Sequence, residues 1–261
     1  MLPLRRTGLV FSALIIGSLI PDFPYFLLVS NEIRWGHTSR GIFLFCLPIG
    51  IAILWLFHRL IKRPLIALAP EFARRRIAES DLQFRFGPLP RFGWIVVSLL
   101  IGIISHILWD GFTHDHGYFV KHWPLLSIPV ETYRVMPLWR ALQQGFSVLG
   151  VAVVAVVTTW WWYRKPVLAE PVRSEMTPRL RWFVIAIMVL LAFMFGTAVG
   201  LNAHYGHQWK MALIRGVIVT ISTACVELLI FSLVWFWNVS QGKNEKPPER
   251  KVQRLEVSTD R

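Results

Sequence analysis

The 261-residue chain is short of cysteine: it has two, Cys46 and Cys225, each inside an apolar run. That excludes a disulfide framework and a CxxC metal knuckle, and it leaves the redox compartment unmarked. Acidic residues are also scarce, 15 against 28 Lys and Arg, for a formal net charge of +13. In a soluble protein such a balance would point to nucleic acid. Here 54% of residues are hydrophobic and the mean hydropathy is +0.49, too apolar for a soluble domain. The basic residues fall in the gaps between apolar runs, so no nucleic-acid partner is expected and membrane lipids are. Internal repeats and low-complexity domains are lacking too. No small-x-small cleavage site follows Arg5-Arg6 and the first apolar run, and Pro21-Asp22 stands where one would lie, so that run reads as retained. What the chain does have is rings, 13 Trp and 18 Phe, which suit lipid interfaces.

The pattern predicts an all-α, polytopic helical membrane bundle. About six transmembrane spans are expected, at residues 8–30, 41–58, 93–110, 145–163, 182–201 and 212–237, each near the ~20 residues a helix needs to cross the hydrocarbon core. Residues 1–240 form the membrane domain, and 241–261, with Pro247-Pro248, read as a polar, disordered cytoplasmic tail. Of the 28 basic residues, 21 fall before span one, in the gaps before spans three and five, or in the tail, and 7 fall in the other gaps. The positive-inside rule then places both termini in the cytoplasm of a multi-pass protein of the cytoplasmic (inner) membrane. Residues 71–86 mix apolar and basic positions, as a helix lying on the anionic leaflet does, or a solvated connector. Residues 115–144 form a long external gap, the kind of loop that covers a site.

This orientation gathers polar residues on one side. Asp22, flanked by Pro21 and Pro24, lies in the outer half of span one. The next external gap carries Gly36-His37-Thr38-Ser39. Span three closes with His106, Asp110 and His114, spaced four apart and so stacked on one helical face. His116, His122, His204 and His207 map to the same side. Ionisable groups at such depth are costly in lipid. Imidazole with carboxylate suits a divalent metal, zinc first, and makes Asp22, His37, His106 and Asp110 candidate ligands, with His114 a further ligand or general acid–base group. Each residue also has a structural reading. Asp22 and the His37 turn can cap helices, and His122 beside Trp123 suits an interfacial ring. His58, beside Arg59, suits an anchor at the opposite face. Glu227, beside Cys225 in span six, is an intramembrane carboxylate and a functional candidate by its position, or a partner for Ser222 or Thr223.

The run from Ser12 to Phe26 through Pro21-Asp22, the His37-Thr38-Ser39 turn, Ser105 to His114, and Leu142-Gln143-Gln144-Gly145 resemble, in that order, the blocks of a bacterial integral membrane protein family, domain of unknown function 4184. More distantly, this pattern is similar to predicted inner-membrane metal-dependent hydrolases of the zinc phospholipase C-like group. The resemblance implies the same ligands, Asp22, His37, His106 and Asp110, with His114 in a catalytic role. Related sequences begin with a short Ser-His helix that is not seen ahead of Met1-Leu2-Pro3-Leu4.

Three functions follow as expectations. One is a metal-dependent hydrolase of lipid or phosphoester substrates at the outer membrane face. Another is a structural membrane protein whose polar residues only pair helices, and whose candidate ligands would lie scattered. The third is a carrier or channel using Glu227, for which inverted repeats and paired broken helices are lacking.

Overall fold

The computed structural model describes residues 8–28, 35–202 and 209–244. The first apolar run forms α1 (Phe11–Leu19), a 3-10 turn (Ile20–Asp22) and α2 (Phe23–Leu28). Then follow α3 (Ser39–Leu68, with wide π-type turns at Ile42–Cys46 and Phe57–Ile61), α4 (Glu71–Arg74), α5 (Glu79–Leu82), α6 (Leu89–Thr113) and α7 (Tyr118–His122). A short antiparallel hairpin, β1 (Pro129–Glu131) with β2 (Val135–Pro137), leads into α8 (Leu138–Arg164), α9 (Pro178–Asn202) and α10 (Trp209–Asn244). The molecule is thus an all-α polytopic bundle, as its apolar periodicity predicts.

The span count needs a correction. Among the described residues, five helices, α3, α6, α8, α9 and α10, are long and apolar enough to cross a membrane; the first run is there a shorter apolar helix, Phe11–Phe26. Pro21 and Pro24 remove backbone donors and tighten the chain into the 3-10 turn. Even so, this run lies alongside α6 and parallel to it. The Val10 N–H donates to Ser98 Oγ at 2.8 Å, and eight residues further on the Ser18 carbonyl meets His106 Nδ1 at 2.7 Å. Gly17 and Gly102 allow this approach, because a Cβ on either would strike the partner helix's backbone. A parallel pair needs a return strand of chain between its members, and α3 supplies it. Leu54 packs with Val10, Ala13, Ile95 and Leu99 toward one end, and Cys46 packs with Ile20 and Ile103 toward the other.

The end of the bundle away from Asp110 gathers the basic gaps, as the charge count predicts. Arg75 donates to the Ala169 carbonyl at 2.9 Å and accepts, through its own carbonyl, from Leu168 N–H at 2.7 Å. Arg76 donates to the carbonyls of Trp162 and Lys165, and the buried Arg181 to that of Ala67 at 3.2 Å. Residues 71–86 are therefore tied to the rest of the bundle, not a free connector. They hold α4 and α5, and their arginines turn onto the carbonyls of the following gap.

Helices α9 and α10 pack through small residues, Gly196 and Gly200 against Gly216 and Ala212. Helix α8 stands apart: every residue from 145 to 161 is exposed, and it touches its neighbours near its two ends. At one end the rings of Trp109 and Phe146 meet edge-to-face at 4.6 Å; at the other, Arg76 reaches the Trp162 carbonyl. The expected tail was to start at residue 241, but α10 runs on to Asn244; the rest of the tail, together with His204 and His207, lies outside the described residues, as does the segment ahead of residue 8.

Candidate metal centre

Three separate pieces of chain converge at the end of α6. The 3-10 turn forced by Pro21 presents Asp22. A second 3-10 turn, Trp35–His37, presents His37. The adjoining Thr38 caps α3, its Oγ1 accepting from Gly41 N–H at 2.9 Å, so the cap falls on Thr38 and leaves the His37 ring to the cluster. The two turns touch through backbone: a Cβ on Gly36 would lie 2.5 Å from the Pro21 carbonyl oxygen, so only glycine lets them sit this close. His106 and Asp110, one helical turn apart on α6, complete the group.

One ligand atom from each of Asp22, His37, His106 and Asp110 lies within 4.8 Å of the others. His37 Nε2 is 3.1 Å from Asp110 Oδ2 and 3.6 Å from Asp22 Oδ1. His106 Nε2 is 3.2 Å from Asp110 Oδ2 and 3.6 Å from Asp22 Oδ1. The His106 ring is oriented by its other nitrogen, where Nδ1–H donates to the Ser18 carbonyl, an arrangement that turns Nε2 to the cluster. That Nε2 is buried and has no hydrogen-bond partner, and neither has His37 Nδ1. Two carboxylates and two imidazoles thus turn towards one point. Two nitrogens and two carboxylate oxygens, from three elements, are a donor set that fits a divalent transition metal.

The other candidates are placed as follows. His114 stands at the C-cap of α6, outside the four-donor group but bonded to it, with Nδ1 3.4 Å from Asp110 Oδ1. Its Nε2 meets the amide nitrogen of Gln143 on α8 at 3.1 Å. Gln143 is the member that ligand-spotting in the sequence passes over; its one signal is a polar Gln-Gln pair at the mouth of an apolar run. His116 pairs with Asp115 at 2.7 Å in the exposed loop, and His122 stacks on Tyr118 and bonds its carbonyl. His58 lies at the opposite end of the bundle, bonded to Ser12 Oγ and stacked on Phe84 at 3.7 Å. In α10, Glu227 Oε2 is buried without a partner, whereas Ser222 donates to the Phe26 carbonyl instead of to Glu227.

A helical bundle with five helices long and apolar enough to cross a membrane and a half-buried two-histidine, two-carboxylate cluster at one end defines the class: a polytopic membrane protein with a candidate metal centre. The chain belongs to the family described as a domain of unknown function, DUF4184, whose model matches residues 1–233. No curated protein matches it, and no solved structure does.

Proposed function

We propose that this chain is an integral membrane, metal-dependent hydrolase of lipid or lipid-linked phosphoester substrates, acting at the outer face of the cytoplasmic membrane. The convergence of Asp22, His37, His106 and Asp110 from three elements carries the reading, because residues that only paired helices would have no reason to aim four donors at one point. The positive-inside bias supports the sidedness: the cluster lies at the end opposite the arginine-rich connections. A divalent ion such as zinc, when bound, supplies Lewis acidity for hydrolysis of an ester or phosphodiester. The protein's own contribution is to hold the four donors and to place the His114 ring beside Asp110, with Nδ1 3.4 Å from Oδ1. The His114 side chain is 34% exposed, open enough to meet a substrate group. Asp22, 38% exposed, opens the cluster on a second side.

The test is metal analysis of mildly extracted protein. Wild type carries a stoichiometric transition metal and Asp110→Ala carries none, and chelation removes phosphodiesterase or lipase activity that zinc restores. Wild-type protein free of metal would overturn the reading. The unpartnered Oε2 of Glu227 favours a second reading, a carrier or channel. It predicts ion flux into liposomes that Glu227→Gln abolishes while leaving bound metal in place.

A further inference from the structure

Asp110 divides its two oxygens. Oδ2 faces His37 and His106 inside the cluster, and Oδ1 faces His114 Nδ1. The amide nitrogen of Gln143, 3.1 Å from His114 Nε2, can only donate, so Nε2 accepts and the ring proton sits on Nδ1, which faces Asp110 Oδ1 at 3.4 Å, an ion-pair distance. Thr113 agrees: its hydroxyl hydrogen goes to the Trp109 carbonyl at 3.0 Å, so at 3.4 Å from His114 Nδ1 it too offers only a lone pair. A neutral imidazole with its proton on Nδ1 has its lone pair on Nε2, and that lone pair requires a donor. The amide N–H of Gln143, 3.1 Å away, is that donor. The first turns of α8 on either side of Gln143 are tied to the outer loop and to α6. The Leu138 N–H donates to the Ile128 carbonyl at 2.9 Å, Tyr133 Oη donates to Gln144 Oε1 at 3.1 Å, and Phe146 packs on Trp109.

We propose that Gln143 is a positioning residue of the metal centre, fixing His114 in the tautomer that holds Asp110 with Oδ2 turned to the metal. The inference rests on the metal reading above and adds α8 to a centre whose donors all come from earlier in the chain. Gln143 acts through His114, so its effect vanishes when His114 is gone.

The experiment uses the full chain in detergent, with zinc titrated against a competing chelator and the visible spectrum of the cobalt-loaded protein as a second readout. Outer partners of this kind set metal affinity by about 10–100-fold. Gln143→Leu is expected to weaken zinc by that factor and to shift the cobalt bands. Gln143→Glu keeps the shape but replaces the donating amide with an accepting carboxylate, and is expected to do the same. His114→Ala weakens zinc alone, and adding Gln143→Leu to it costs nothing more. Wild-type affinity and spectrum in Gln143→Leu and Gln143→Glu would overturn the proposal, as would costs that add in the double variant. A wild type that binds no zinc fails earlier, and takes the metal reading with it.

Discussion

Gly36→Ala perturbs the centre without touching a ligand. The new Cβ would lie 2.5 Å from the Pro21 carbonyl oxygen and 2.9 Å from Pro21 Cα, both backbone atoms that cannot rotate away. Ordinary contact begins at 3.4 Å, so the two turns must separate by about 0.9 Å. Gly36 adjoins His37 and Pro21 adjoins Asp22, so that movement passes directly into the donor set. The 3.1 Å contact of His37 with Asp110 and the 3.6 Å approach to Asp22 both open. Metal–ligand distances hold to roughly ±0.2 Å, and the displacement is several times that tolerance. The expected outcome is a loss of zinc affinity of at least the ~10–100-fold seen when an outer partner is removed. The accompanying overpacking costs about 1–3 kcal/mol of stability. Zinc competition titration measures the first, and far-UV circular dichroism with thermal unfolding in detergent measures the second. Gly150→Ala is the control, since a Cβ there meets nothing within 4 Å. Helical, monodisperse Gly36→Ala protein with wild-type zinc affinity would refute the argument that contact between the two turns sets the spacing of the donors.

Two further predictions concern the basic end. Burial acts to raise the Asp81 carboxyl, but the Lys165 ammonium at 2.6 Å and the Ala78 N–H outweigh it and hold the group below the usual carboxylate range. A folded value below the unfolded one stabilises above the ordinary Asp range and is lost as pH falls through the folded value. Asp81→Asn should therefore reduce stability at neutral pH by at most about 1 kcal/mol, because the carboxylate is solvent-screened, read as a lower Tm, and the gap to wild type should close in acid; a gap that does not depend on pH contradicts this. Arg181, buried and donating to Ala67, Ser174 and Met176, is expected to cost about 1.5–3 kcal/mol on replacement by Met, read as a lower Tm in detergent, and an unchanged Tm would count against a clasping role.

Much of this architecture is legible in the residues. Apolar runs give the helices, and the arginine count brings the 59–91 and 164–181 connections to one end, where Arg75 and Arg76 bind the second connection. The same count brings Asp22, His37, His106 and Asp110 to the other end. Length was less legible, because Pro21 and Pro24 shorten a run whose composition alone looks like a span. Contacts that depend on backbone approach were not legible at all. Gly17, Gly36 and Gly102 carry no chemistry a motif could report, yet each lets two segments come close enough to place a donor. Gln143 escaped for a related reason: it touches no metal, and its meaning depends on the tautomer of a histidine 29 positions earlier.

The position of the donors along the chain sets an order of assembly. Asp22, His37, His106 and Asp110 all precede α8. During synthesis, the chain that provides every ligand leaves the ribosome before Gln143 does. Gln143 on α8, emerging afterwards, meets one of the histidines from outside, so the proposed centre has all its donors on chain made before the helix that contacts it.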